Sequence, residues 1–220
     1  DLDTLIVGPL DDLVSYNGQT FAFFIRFLNG TASARVTFKA YPGAHPIVTP
    51  SGPSEGIYFL QSSYLLLEGF EVNRATLHAV RFAESSNIEA RNLWVHDTDG
   101  EDNDNLAGVY ANVASNIEVH HSLIHDNYDR NNADTGGNKT ENSRNVVLFG
   151  GGTARLHHNV IFQTPQITAQ KTGGCITYKH SAADAGAVFE VAHNVFWNCY
   201  HPVIGSGTYG TRIHHNLILN

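Results

Sequence analysis

The sequence predicts an all-β chain wound as a single-stranded, right-handed parallel β-helix, a solenoid of about seven three-strand coils. Three observations point there. First, one phrase recurs: two short alternating stretches separated by a small polar pivot. It stands at residues 64–72 (YLLLEGFEV), 87–95 (NIEARNLWV), 116–124 (NIEVHHSLI), 154–161 (ARLHHNVI), 188–196 (VFEVAHNVF) and 211–218 (TRIHHNLI). Second, apolar residues alternate on either side of the pivot, which is the period of a strand with one buried face. Third, charged residues make up only 15% of the chain, against ~25% in an ordinary globular domain. Gly and Asn, which tolerate tight left-handed bends, are frequent instead.

In chain order, residues 21–28, 35–40 and 47–48 supply a first coil. A strand ahead of each later phrase is read at 56–60, 79–82, 108–111, 145–149, 175–178 and 202–204, and the two halves of the phrase complete each coil. The pivots Gly69, Asn92, Ser122, Asn159, Asn194 and Asn216 are expected at bends with left-handed backbone. Stacked at the ~4.8 Å strand spacing, their side-chain amides would hydrogen-bond from coil to coil. Each coil touches only its neighbours, so stability is expected to sum over coils and interfaces. Cys175 and Cys199 fall close to one repeat apart, either as a disulfide or as two buried thiols. Residues 1–220 read as one domain, a fragment or mature part of a longer chain.

Net charge is −8, from 13 Lys and Arg against 21 Asp and Glu. That balance excludes the broad basic footprint of a nucleic-acid binder. No run reaches the ~18 apolar residues of a membrane span. An acidic chain that grips an acidic polymer must do so through a local basic cluster or a bound cation.

The shortest repeat, Asn194 to Asn216, shows what a bare coil needs. Longer repeats carry inserts at 97–106, 127–145 and 163–174, each between the last strand of one coil and the first strand of the next. All three should leave at one corner and wall a groove beside the first-strand sheet, a shape suited to an extended polymer. The first insert offers Asp97, Asp99, Glu101, Asp102 and Asp104, which read as oxygen ligands for Ca²⁺ or as a solvated acidic loop. The other two bring the cations Arg130, Lys139, Arg144 and Lys171, with Tyr128 nearby and Tyr178, Lys179 and His180 on or just past a first strand. His121, His158, His193 and His215 each precede a pivot and are expected to stack. The doubled histidines are not expected to converge on one ion, because alternation sends neighbours to opposite faces.

These phrases, together with 29–43 (NGTASARVTFKAYPG) and 56–70 (GIYFLQSSYLLLEGF), resemble the right-handed parallel β-helix superfamily. That superfamily includes pectate lyases and other polysaccharide lyases, polygalacturonases, epimerases and phage tailspikes. The resemblance covers nearly the whole chain and is specific for fold. The Gly-His-Gly and Arg-Ile-Lys of polygalacturonases, the Asp-Pro-His of alginate epimerases and the paired Arg of the first pectate lyase family are all missing. The resemblance implies an extracellular or cell-surface, carbohydrate-active protein, foremost a polysaccharide lyase that cleaves an acidic glycan by β-elimination, assisted by Ca²⁺. Such chemistry neutralises a carboxylate, removes the C5 proton and protonates the leaving oxygen. Lys179 is the expected base, with His180 or Tyr178 assisting and Arg144 in the catalytic set; Arg130, Lys139, Lys171 and Tyr128 are expected substrate contacts. A second reading is a non-catalytic structural or adhesive β-helix of a fibre, tailspike or surface layer, self-associating end to end or joined to further domains. A third is a glycoside hydrolase pairing Asp126 with Asp129, or Asp97 with Asp99.

Overall fold

A computed structural model describes residues 14–16, 19–50, 54–100, 106–129, 144–165, 174–179, 187–206 and 210–220. Seven coils of three strands follow one another, as the repeat predicts. They run Gln19–Arg26, Val36–Lys39, Ile47–Val48; Ser54–Leu60, Ser63–Glu68, Glu71–Asn73; His78–Ala83, Ser86–Arg91, Trp94–His96; and Ala107–Asn112, Ser115–His120, Leu123–His125. Three more complete the series: Arg144–Phe149, Ala154–His157, Val160–Phe162; Gly174–Lys179, Phe189–Ala192, Val195–Trp197; and Val203–Ser206, Thr211–His214, Leu217–Leu219. Strands in the same position of successive coils pair in parallel, giving three sheets, here called first, second and third. The first sheet gains an eighth strand, Val14–Tyr16, antiparallel to Gln19–Arg26.

The core is built of columns. In the third sheet Val72, Val95, Ile124, Ile161, Phe196 and Ile218 stand directly over one another. Val72, Val95, Ile124 and Ile161 are fully buried, whereas Ile218 in the last described coil is 52% exposed. Each buried aliphatic side chain contributes roughly 1.5–3 kcal/mol, and a column repeats that gain coil by coil.

The corner between the second and third sheets differs from the expected one by a single residue. Left-handed backbone occurs at Gly69, Asn92, His121, His158, His193 and His215. Trp94 pairs with Leu123, so Asn92 aligns with His121 rather than with Ser122. His, like Asn, is enriched in the left-handed region, which lets it hold the bend. The residues read as later pivots lie one place beyond it and form the ladder instead. The Ser122 amide donates to Asn159 Oδ1 at 3.0 Å, and the amide and Nδ2 of Asn159 both reach Asn194 Oδ1 at 3.0 Å. The amide and Nδ2 of Asn194 donate to Asn216 Oδ1 at 2.9 and 3.0 Å. Asn159 and Asn194 are buried, so an unmatched amide there would cost about 1–3 kcal/mol. Of the two fates open to the cysteines, the disulfide is realised: Cys175 in the sixth coil joins Cys199 at the corner leading into the seventh, Cα atoms 5.6 Å apart.

Candidate active site

The three inserts leave where the sequence places them, after Trp94–His96, Leu123–His125 and Val160–Phe162, and rejoin the first sheet at Ala107, Arg144 and Gly174. Two of them set out side by side, because Asp99–Gly100 pairs in parallel with Tyr128–Asp129. A cleft of about 450 Å³ opens at this corner, lined by Arg74, Thr76, Asp97, Asp99 and Tyr128. It borders the first sheet, since Thr76 precedes the strand His78–Ala83 by two residues.

The outer face of that sheet holds a cluster the sequence reading missed. Strict alternation slips near the start of each first strand: Ala79 and Val80 both face the core, as do Cys175 and Ile176. The residue before the slip therefore turns outward, and Glu55, His78, Ala107, Arg144 and Gly174 share the outer face with Tyr58, Arg81, Tyr110, Val147 and Thr177. Glu55 Oε1 accepts from His78 Nδ1 at 3.0 Å and from Arg81 at 2.5 Å. The His78 ring lies flat on Tyr110, centroids 4.2 Å apart, and the Arg81 guanidinium sits 4.6 Å from the Tyr58 ring centre and 5.6 Å from that of Tyr110. Glu55 Oε2 and Arg81 Nε are buried without a hydrogen-bond partner among the described residues. Burial raises the Tyr110 phenol above its ordinary value, against the opposing charge of Arg81 and with help from Glu55. The phenol therefore stays protonated and able to donate. Arg144, two coils further on, is 3% exposed. It crosses over Gly174, where a Cβ would lie 2.5 Å from Arg144 Cδ.

The expected site residues separate. Tyr128, Asp97 and Asp99 meet in the corner cleft. Arg144 joins the outer face with Lys179, whose ammonium lies 5.7 Å from the centre of the Phe149 ring. Three coil steps of ~4.8 Å separate Lys179 from the Glu55–His78–Arg81 cluster. Tyr178 points the other way: it is fully buried in the core, stacked on Phe189 at 4.2 Å, and its hydroxyl donates to the Gly152 carbonyl at 3.2 Å. Alternation between Tyr178 and Lys179 makes this unavoidable, so the two cannot act on one substrate atom. His180, Arg130, Lys139, Lys171, Glu101, Asp102 and Asp104 lie outside the described residues. Asp97 Oδ2 is held by His96 Nδ1 at 2.8 Å, and Arg74 shares the cleft. Of the acidic set read as Ca²⁺ ligands, Asp97 and Asp99 reach the cleft and the other three lie outside the described residues.

The histidines stack as expected but also pair, which was not expected. His121, His158, His193 and His215 form a column with ring centroids 5.1, 5.1 and 5.0 Å apart. Within a coil, Nδ1 of His120 meets Nδ1 of His121 at 2.7 Å, and the pairs His157–His158 and His214–His215 meet at 2.8 Å. The left-handed bend swings the second ring beside the first, so alternation does not separate them. Glutamates back the inner rings: His120 on Glu89 at 3.3 Å, His157 on Glu118 at 2.8 Å and His214 on Glu190 at 3.0 Å. Burial pushes the Glu118 carboxyl up, but His157, His120 and Arg155 outweigh it and leave it lowered. Desolvation lowers His120, partly offset by Glu89; desolvation and the surrounding imidazoles lower His158.

No helix among the described residues is long and apolar enough to cross a membrane. No protein-family model and no curated protein matches the chain. Among solved structures, an alginate lyase from Paenibacillus sp. str. FPU-7 aligns with 91% of this chain and 84% of its own, at 13% identity and TM-score 0.44. The A-module of a mannuronan C-5 epimerase from Azotobacter vinelandii aligns with 92% of this chain and 71% of its own, at 14% identity and TM-score 0.39. A rhamnogalacturonan lyase aligns with 92% of this chain and 60% of its own, at 16% identity and TM-score 0.52. That last likeness, with three sheets of parallel in-register strands, makes the chain a parallel β-helix.

Proposed function

We propose that the chain is a polysaccharide lyase that cleaves an acidic glycan across the outer face of the first sheet, in an extracellular or cell-surface setting. One observation carries the reading. A chain of net charge −8 gathers Arg26, Arg81, Arg144 and Lys179 on this face against a single carboxylate, Glu55, among the described residues. That local excess is what an acidic polymer needs from an acidic protein. Arg81, held against Glu55, neutralises the uronate carboxylate, which acidifies the C5 proton. Glu55 accepts from His78 Nδ1–H and so orients the imidazole that acts as the base. As the proton leaves C5, the C4–C5 double bond forms and the C4–O4 bond breaks; Tyr110, kept protonated by burial, supplies the proton to O4. Ca²⁺ held by residues 97–104 is a separate part of the proposal, and no step above passes through it.

The near-complete burial of Glu55 and His78 favours a second reading, in which the cluster is an ion-pair network tying the second and third coils together. Assay on uronate polymers, beginning with rhamnogalacturonan and alginate, separates the two. The lyase reading expects ultraviolet absorbance from the unsaturated product. It also expects a ~10²–10⁴-fold rate loss in His78→Ala and in Tyr110→Phe, with little change in the Tyr110→Phe unfolding midpoint. Silence on every polymer, with and without added Ca²⁺, together with marked destabilisation by His78→Ala, selects the network.

A further inference from the structure

The paired histidines are interrupted once. At the inner-ring position, register aligns His120 with His157, His157 with Ala192, and Ala192 with His214. The sixth coil thus offers a methyl group where the coils on either side offer imidazoles. His193 has no ring partner in its own coil, and among the described residues its nitrogens make no hydrogen bond. It stacks on His215 at 5.0 Å and meets His214 edge-on at 6.0 Å between centroids. One nitrogen from each of His193, His214 and His215 falls within 4.8 Å of the others.

We infer that His193, His214 and His215 form a binding site for one borderline divalent cation of the Zn²⁺ class, separate from the glycan face. Three imidazoles on a single corner supply the nitrogen donors such ions prefer over oxygen. Glu190 accepts from His214 Nε2 at 3.0 Å, which fixes the proton there and leaves Nδ1 as the lone-pair atom aimed at His215. This is the carboxylate–histidine arrangement that orients metal ligands. Arg155 holds Glu190 from the other side at 2.8 Å. The 2.8 Å between Nδ1 of His214 and Nδ1 of His215 must open by roughly half an ångström to match two ~2.05 Å bonds at a tetrahedral angle. The His193 nitrogen, up to 4.8 Å from its partners, must close by as much as roughly 1.4 Å to reach the same geometry, a rotation open to His193 and His215 because both rings are exposed. The fourth position is left to water.

Two substitutions test the site while copying residues that the same corner already holds elsewhere. His193→Asn places there what the third coil has as Asn92, and His214→Ala what the sixth coil has as Ala192. Zn²⁺ alone is titrated calorimetrically into the full chain without an affinity tag, and Co²⁺ absorption reports the ligand field. The expected result is one ion per chain at micromolar concentration, at least about tenfold weaker binding in each variant, and about tenfold weaker binding in Glu190→Gln with the Co²⁺ spectrum kept. His45→Ala, at an exposed histidine far along the chain, should leave affinity unchanged. Absence of uptake below millimolar Zn²⁺, or uptake indifferent to both His193→Asn and His214→Ala, overturns the inference.

Discussion

A left-handed bend changes what its neighbouring side chains can do. At Gly69 and Asn92 it only turns the chain, while at His121, His158 and His215 it brings two imidazoles within hydrogen-bonding distance. Those rings and their carboxylates set a pH dependence whose sign can be worked out. Glu118 and Glu190 are held below the ordinary carboxylate value, Glu190 chiefly by its bonds to Arg155 and His214. A lowered carboxyl adds stability that is present above its unfolded value and is lost as pH falls through the lowered one. His120 and His158 are also lowered, so their neutral forms suit the fold. Their contribution is present above about 6.5 and fades as acid forces a proton on them. Both groups act in one direction. Urea unfolding at stepped pH is therefore expected to show a flat midpoint above pH ~7, a decline beginning near ~6.5 and a steeper loss below ~4.5. A midpoint that rises on acidification would refute the assignment. Legibility at this scale is uneven. Tyr58, Arg81 and Tyr110 were readable as outward positions of 56–60, 79–82 and 108–111, since alternation alone places them. Glu55 and His78 were not, because the slip just after them reverses their side and leaves no mark in the pattern.

Strands and corners were the easiest elements to read. The alternating phrase with its break is a long-range signal repeated six times, and all three sheets follow from it. Strand starts were less clear: Ser54, His78, Ala107, Arg144 and Gly174 begin the first-sheet strands one or two residues ahead of the apolar run. A polar first residue does not look like strand when only hydrophobic alternation is followed. The fate of Cys175 and Cys199 was equally open, because repeat spacing brings two positions together without saying which way their Cβ atoms point. The bond that forms spans a sequence separation of 24 and secures the last coil to the sixth. A loop of that size is worth roughly 3 kcal/mol, and in a solenoid the effect stays local. Reduction is expected to speed hydrogen exchange in Thr211–His214 and Leu217–Leu219 while strands of the second to fourth coils keep their protection. A uniform loss along the chain would show that the coils unfold as one unit.

For the whole molecule, charge is partitioned by face. The first sheet turns cations outward, while the second carries Glu68, Glu89, Glu118 and Glu190, matched by Arg91, Arg155 and the imidazoles. The formal charge of the chain conceals this division, which is why composition alone gave no sign of a cationic face. Residues 131–142 lie between Tyr128–Asp129, which pairs with Asp99–Gly100 outside the coils, and Arg144–Phe149 of the first sheet. Replacing them with a short Asn-Gly turn is expected to leave the far-ultraviolet circular dichroism unchanged and, under the proposed function, to weaken binding of the glycan roughly tenfold; loss of the strand signal would show the insert to be part of the scaffold. All three long detours depart from one edge between strands of fixed register. A lineage of such proteins can therefore vary what borders that edge by rewriting stretches outside the three-strand coils. Its evolvability is concentrated on a single seam, while selection on the stacked interior continues undisturbed.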